Sequence, residues 1–329
     1  MTVPPAIRPD FPAVRDATAL PSQLAGAFLA IGNFDGVHRG HRAVIDTAIS
    51  RAKREHRPAL ALTFEPHPRS FFRPAEPLFR LTPESAKLRL LAAAGLDGAV
   101  VMTFDAALAS RSAEAFIGEI LVGRLAIAGV VVGADFRFGK GRLGTPEFLQ
   151  EEGAARGFAV EVVPPLLAGG RPVSSGAVRD ALSAGEIAEA NDLLGHAWFV
   201  EGKVVRGAGR GAGLGFPTAN LALDPSCALK HGIYAVRAHV GEQVGERAYQ
   251  AVASFGRRPQ FDDGAAVFEV LLFDFEGDLY GKSLTAELVD FIRPERKFSS
   301  VEALQAQMKE DSRDARAILA RAGARTGKA

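Results

Sequence analysis

The chain has 329 residues, 47% hydrophobic and 23% charged, the balance of a folded protein of about two domains and not of a disordered or fibrous chain. Its net charge of +1 gives no global field to gather nucleic acid or an anionic membrane. A single cysteine, Cys227, excludes an internal disulfide and a cysteine metal cluster.

Met1 to Asp16 is proline-rich and lacks the basic start and apolar core of a signal peptide. No apolar run reaches the ~20 residues of a membrane span, so a cytoplasmic protein is expected. Ala27 to Ile31 reads as a strand, and Gly40 to Glu55 as a helix with Val44, Ile45 and Ala48 on one face. Ala59 to Phe64 is the next strand. Thr82-Pro83-Glu84 has the grammar of a helix start, with Thr82 as the capping hydroxyl and Gly95 as the stop. Gly98 to Met102 is a third strand, Ser112 opens a helix, and Gly129 to Val132 is a fourth strand. Thr145-Pro146-Glu147 starts another helix before a fifth strand, Ala159 to Val163. Strands separated by helices imply parallel, right-handed βαβ units.

The pattern changes after Asp192-Leu193-Leu194-Gly195. Short β-rich runs follow at Phe199 to Val205, Ile233 to Val240, Ala248 to Ser254, Val267 to Phe273 and Ser283 to Phe291, as in an antiparallel barrel. Ser299 or Ser300 then caps a last helix with Val301, Leu304 and Met308 on one face. The expected fold is α/β. A Rossmann-like domain covers residues 1–185, and a β-barrel with a terminal helix covers residues 186–329.

The string Gly32-Asn33-Phe34-Asp35-Gly36-Val37-His38-Arg39-Gly40-His41 joins the first strand to the first helix. Ligands of open α/β sheets bind at the carboxyl ends of strands, and a helix N-terminus there offers free N–H groups to phosphate. His38 and His41, three apart, share one helix face, and Gly40 leaves room for a close approach. Two imidazoles at a helix end suit a developing phosphorane. Three further segments end predicted strands or open helices on the same rim. They are Thr63-Phe64-Glu65-Pro66-His67-Pro68, Val130 through Gly139 with Asp135, and Val173-Ser174-Ser175-Gly176-Ala177-Val178-Arg179.

In the second half, five glycines between 207 and 215 make an open loop, but without the Gly-Lys-[Ser/Thr] ending of a Walker A loop. Thr218 and Asn220, in Phe216-Pro217-Thr218-Ala219-Asn220, are hard oxygen donors suited to Mg²⁺. Glu269 stands in an apolar strand. It is either exposed by alternation or poised as a base, and its residues alone favour alternation.

The first string resembles the H-x-G-H motif of nucleotidyltransferases. With the three further segments, the N-terminal half resembles the FMN adenylyltransferase domain of bacterial bifunctional riboflavin kinase/FAD synthetases. Residues 186–315 are similar to its flavokinase barrel. The resemblance implies ATP-dependent phosphorylation of riboflavin to FMN, then adenylylation of FMN to FAD, with Mg²⁺ accompanying ATP. It implies His38 and His41 as catalytic residues of the adenylyltransferase, with ATP against Gly32, Phe34, Asp35, Gly40, Ser174, Ser175 and Arg179. Asn33, Phe64, Pro66 and Pro68 would bind the flavin, and Asp135 would lie near the flavin phosphate or the adenosine ribose. In the barrel it implies Glu269 as general base, Gly209, Arg210, Gly215, Phe216 and Pro217 around ATP, and Thr218 and Asn220 as Mg²⁺–ATP ligands.

Gly176, Ala212-Gly213, Ser254 and Gln260 depart from the family pattern. Arg257 and Arg258 are candidates to approach phosphate or flavin. The expected partners are ATP, riboflavin and FMN, with no nucleic acid, membrane or obligate protein partner. Two other readings are an enzyme with one live activity and a flavin- or nucleotide-binding regulator without turnover.

Overall fold

The structure, a computed structural model, describes residues 8, 10–205, 218–241, 248–257 and 266–326; the side chains of 257 and 324–326 lie outside that description. Gly209, Arg210, Gly215, Phe216 and Pro217 therefore fall outside the described residues, as do Ala212, Gly213, Arg258, Gln260 and the Arg257 side chain. The chain forms two compact units, one ending at Ser175 and the other running from Gly176.

In the first unit, β1 (Ala13–Arg15), β2 (Phe28–Ile31), β3 (Ala59–Glu65), β4 (Gly98–Thr103), β5 (Gly129–Gly133) and β6 (Ala159–Val163) form one sheet in the order β1-β4-β3-β2-β5-β6. Every pairing is parallel. β2 to β5 are buried almost throughout, which is why their sequences are continuous apolar runs without alternation. The strand order reverses at β2, so the switch point lies beyond the ends of β2 and β5, where ligands of such sheets sit.

Helix α1 (Arg39–Arg54) buries Val44, Ile45, Ala48 and Ala52, the expected face. The short α2 (Pro68–Phe72) follows β3, and α3 (Glu84–Ala93) precedes β4. α4 (Ala106–Ala109) and α5 (Ala113–Ala115) lead into a π-helix, Phe116–Arg124, and α6 (Pro146–Arg156) is capped by Thr145. Among the strands of this unit, β1 and a hairpin were absent from the sequence reading. β1 pairs with β4 at the sheet edge, and a two-stranded hairpin, β7 (Leu167–Ala168) and β8 (Arg171–Pro172), stands between β6 and the paired serines.

In the second unit, α7 (Ser175–Ala184) and α8 (Ile187–Leu194) precede the barrel, and the division between units falls at the first residue of α7. α7 goes with the barrel because Lys230 donates its amide to the Leu182 carbonyl and its ammonium to the Ala184 carbonyl. The strands are β9 (Phe199–Lys203), β10 (Ala219–Ala222), β11 (Gly232–Val240), β12 (Tyr249–Arg257), β13 (Ala266–Leu272) and β14 (Ser283–Arg293). They pair antiparallel in the order β10-β13-β12-β11-β14-β9, and the bridge between Val205 and Asn220 nearly closes the barrel. Tyr234, Val236, Phe255, Phe268, Val270 and Leu288 fill the interior.

The terminal helix α9 (Val301–Thr326) begins at Ser300, whose hydroxyl accepts the Ala303 amide. Of the expected face, Leu304 and Met308 are half-buried, while Val301 is 53% exposed. Gln307, Asp311, Ala315 and Leu319, four residues apart, are buried beside them. Arg293, at the end of β14, holds the polar pair. Its guanidinium bonds both Asp311 oxygens, at 2.7 and 2.6 Å, and Gln307 donates to the same carboxylate, a polar clamp next to the apolar contacts of Ala315 and Leu319.

Candidate active sites

The loop after β2 turns sharply. Phe34, Gly36 and Val37 all have positive φ (51°, 85° and 43°), a conformation that glycine adopts freely and the other two hold only under surrounding restraint. The restraint comes from Asp35. Its buried carboxylate takes the amides of Leu81 and Thr82 at 3.0 Å each, and the Thr82 hydroxyl accepts the Gly36 amide at 3.0 Å. Thr82 is therefore not the cap of α3. Pro83 occupies that position without a side-chain cap bond, and the Thr82 hydroxyl is committed to the loop.

His38 caps α1, and its Nδ1 accepts the His41 amide at 3.2 Å. A nitrogen that accepts carries no hydrogen, so neutral His38 has its hydrogen on Nε2. The two rings stack, 3.6 Å between centroids and 18° from parallel, and the buried Phe34 ring packs edge-on against His41 at 5.3 Å. His41 is half-buried, but its Nδ1 is fully enclosed without a partner. Loss of solvent, then the neighbouring His38, then the Lys87 charge hold the His41 imidazole well below its usual range.

The absence of a side chain at Gly40 has a cause different from the expected one. A Cβ there would lie 3.0 Å from the Val173 carbonyl and 3.2 Å from the His38 ring, so the space belongs to the protein's own backbone. That approach brings in the serine segment. Ser175 donates its hydroxyl to the Asp35 carbonyl at 2.9 Å, while Ser174 is exposed. Arg179 lies one turn into α7, in the second unit.

After β3, the Glu65–Pro66 peptide is cis, and His67 accepts the Arg69 amide to start α2. Phe64 meets Phe104 edge-on at 6.0 Å, and Phe104 also meets Phe71 and Phe72, at 5.5 and 5.6 Å. Phe71 and Phe72 stay 37% and 62% exposed, so the aromatic wall extends well past Phe64, Pro66 and Pro68. Asp135, beyond β5, is exposed, and its Oδ1 covers the Gly133 backbone.

The sequence reading missed the charges beneath this rim. Glu65 is buried and takes a two-pronged pair from Arg80, at 3.1 and 2.9 Å, and the Lys87 ammonium at 2.6 Å. Burial pushes the Glu65 carboxyl up, but the Arg80 and Lys87 contacts outweigh it and hold the group below its usual range. The available signal was the position of Lys87, four residues before buried Leu91 on the inner side of α3.

In the barrel, Asn220 on β10 stands opposite Glu269 on β13, and Glu269 stands opposite Ser254 on β12. Residues paired across antiparallel strands share a face. Thr218 completes the group with its hydroxyl 3.4 Å from a Glu269 carboxylate oxygen. Alternation puts these residues on the outer face of the barrel, beside Ile233, Ala235, Val252 and Leu271, which pack under α9. Glu269 is half-buried, as a group with one open side should be. The cluster offers a hydroxyl, a carboxamide and a carboxylate, all hard oxygen donors. Among the described residues no group of three His, Cys, Asp or Glu side chains could hold a metal ion, and no helix is long and apolar enough to cross a membrane. The Cys227 thiol, with burial pushing it up to about 11, is poorly suited to act as a nucleophile.

A family model for FAD synthetase matches residues 20–177, and one for riboflavin kinase matches residues 194–319. The bifunctional riboflavin kinase/FMN adenylyltransferase of Escherichia coli K12 is 39% identical over 88% of this chain and 92% of its own. The protein of the same name from Pseudomonas fluorescens is 38% identical over 93% and 97%. A crystal structure from Streptococcus pneumoniae, described as a macrolide-efflux protein, superposes with a TM-score of 0.81 at 30% identity, covering 92% of this chain and 98% of that one.

Proposed function

The chain belongs to the bifunctional riboflavin kinase/FMN adenylyltransferase family, and from that premise we propose which residues carry its two reactions. The riboflavin kinase region transfers phosphate from ATP to riboflavin, giving FMN. The FAD synthetase region transfers AMP from ATP to FMN, giving FAD and pyrophosphate. We keep the functional division at residues 185/186, so that Ser175 and Arg179 of α7 both serve adenylyl transfer. ATP and a lone, unactivated thiol go with a cytoplasmic setting.

For adenylyl transfer, a phosphate oxygen of FMN attacks the α-phosphorus of ATP, and the bond to the departing pyrophosphate breaks. Charge develops on the α-phosphate oxygens. His38 Nε2–H and the amides at the start of α1 are the donors that meet it, supported by the Nδ1 bond that fixes the His38 tautomer. His41, held neutral, stacks behind His38 and keeps its plane. Ser174, Ser175 and Arg179 take the phosphates of ATP, and Gly32 lets the nucleotide approach the loop. Asp35 we assign to holding the loop, since its carboxylate is engaged by Leu81 and Thr82. Phe34 and Gly40 likewise shape the histidine pair. Asn33, Phe64, Pro66 and Pro68 hold the flavin, with Asp135 at its phosphate or at the ribose.

For phosphoryl transfer, Glu269 accepts the proton of the riboflavin 5′-hydroxyl as its oxygen attacks the γ-phosphorus of ATP. Thr218 and Asn220 would hold the Mg²⁺ that accompanies ATP, which when bound neutralises phosphate charge. The observation that carries this assignment is the meeting of Thr218, Asn220 and Glu269 on one outer face of the barrel, although Glu269 lies three strands further along the chain. The test is incubation with riboflavin, ATP and Mg²⁺, with flavins separated over time and a parallel reaction started from FMN. FMN followed by FAD is expected. FAD only from supplied FMN would mean a silent barrel, and FMN alone a silent N-terminal unit.

A further inference from the structure

Beneath the histidine loop lie two cations and two carboxylates, and the roles above use only Asp35 among them. We propose that Lys87 is a positioning residue for adenylyl transfer, its buried ammonium locking the start of the histidine loop to the end of β3, where the proline wall begins. The proposal rests on the adenylyltransferase reading of the N-terminal unit.

The Lys87 ammonium is 1% exposed as a residue and lies 3.2 Å from the Asn33 carbonyl, 3.1 Å from the Thr63 hydroxyl and 3.5 Å from the Phe64 carbonyl. Glu65 at 2.6 Å supplies its counter-charge. Thr63 reinforces the lock by donating to the Asn33 carbonyl at 3.2 Å. One ammonium thus ties the loop that carries His38 to the strand end that carries Phe64 and Pro66. The rest of the 80–87 segment grips the same parts. Arg80 holds Glu65, Leu81 and Thr82 hold Asp35, and Thr82 takes the Gly36 amide. Asn33, Asp35 and Gly36 are therefore all fixed from one short segment.

A buried ion pair adds little stability over well-packed apolar groups, so stability alone would be served as well by an apolar side chain. Lys87 brings two things that an apolar residue cannot. It orients a loop carbonyl, and it balances Asp35 and Glu65 together with Arg80, so that a nucleotide arrives above a neutral base and not a negative one. Its charge also contributes, after burial and His38, to holding the His41 imidazole below its usual range. Removing that charge lets His41 take a proton at higher pH.

The experiment measures FAD formation from FMN against pH for the wild-type chain, Lys87→Met and Lys87→Gln, with riboflavin phosphorylation by the same preparations as a control. Lys87→Met should lower kcat about 10-fold or more, the scale of a displaced catalytic group, and move the acid limb to higher pH. Riboflavin phosphorylation should stay within about twofold, since its residues lie in the other unit. Lys87→Gln keeps a donor for Asn33 and Thr63 without the charge, so it should recover much of kcat and retain the shifted limb. Wild-type kcat with an unshifted limb in Lys87→Met overturns the proposal. If that variant loses the melting transition of the N-terminal unit, the same comparison on Lys87→Gln decides. A wild-type chain that makes no FAD from FMN would sink the adenylyltransferase reading, and the proposal with it.

Discussion

The imidazoles of His38 and His41 lie 3.6 Å apart and nearly parallel, with the amide of the second donating to Nδ1 of the first. Two stacked rings at this distance cannot both carry a proton cheaply, since like charges disfavour each other's charged form. The pair is therefore built to work with a neutral His41, and its protonation has a consequence for stability. An unfolded chain protonates this residue near pH 6.5, while the folded one resists until well below that. Between those values the unfolded state binds more protons, so stability falls as pH drops below about 6.5 and is untouched by this group above it. Melting curves from about pH 5 to 8 should show a steeper acid-side loss in the wild-type chain than in His41→Asn. Equal slopes would mean that His41 titrates normally.

The two reactions should separate by mutation. His38→Ala removes the oriented Nε2–H donor and is expected to lower FAD formation about 10²–10³-fold, the usual cost of one such donor. FMN formation should be spared, and His41→Ala should behave in the same direction. Glu269→Ala should lower FMN formation about 10²–10⁴-fold and leave FAD formation from supplied FMN intact. Flavin chromatography from both starting compounds reads all three variants, and equal loss of both activities in any one would contradict two separate sites.

Much of this arrangement was legible in the residues, because the buried strands of a parallel sheet are continuous apolar runs and the histidine string has few other uses. What stayed hidden depends on contacts between distant segments. Thr82 before Pro83 has the local grammar of a cap, but Asp35, far back in the chain, takes the 81–82 amides and Thr82 serves the loop. Lys87 and Glu65 read as ordinary charges until α3 and β3 meet and bury both. β10 is too short and its neighbours too rich in turn residues to register as a strand, although it places Asn220 opposite Glu269. The stripe on α9 was read only in part, because Arg293 draws the polar Gln307 and Asp311 inward beside the apolar residues that pack on the barrel.

Gly40 gives a steric test of the first site. A methyl group there meets the Val173 carbonyl at 3.0 Å and the His38 ring at 3.2 Å, and the carbonyl is backbone, so the ring is the part that must give. Gly40→Ala should cost about 1–3 kcal/mol, the usual range for overpacking, and should tilt His38 out of its stack. FAD formation is then expected to drop more than KM for ATP rises, with FMN formation unchanged. A variant with full adenylyl transfer would show that the loop relaxes around the methyl and that the stack is not needed.

Arg293 and Asp311 offer the corresponding test in the barrel. One row of residues crosses its outer face, with Asn220 opposite Glu269, Glu269 opposite Ser254, Ser254 opposite Ile233, and Ile233 opposite Arg293. The far end of the row that holds the base is thus clamped to α9 through Asp311, which is buried and also bonded by Gln307. Asp311→Ala leaves the guanidinium without its carboxylate. A fully buried pair broken this way costs ~3–5 kcal/mol; with Arg293 still 17% exposed, about 2–3 kcal/mol is expected. Denaturant unfolding followed by kinase activity should show an earlier midpoint for riboflavin phosphorylation than in the wild-type chain. Restoring the charge balance with Arg293→Met in the Asp311→Ala background should recover part of the loss, because no unpaired ion is then left beneath the helix. If the double variant is no more stable than the single, the clamp contributes by shape and not by charge.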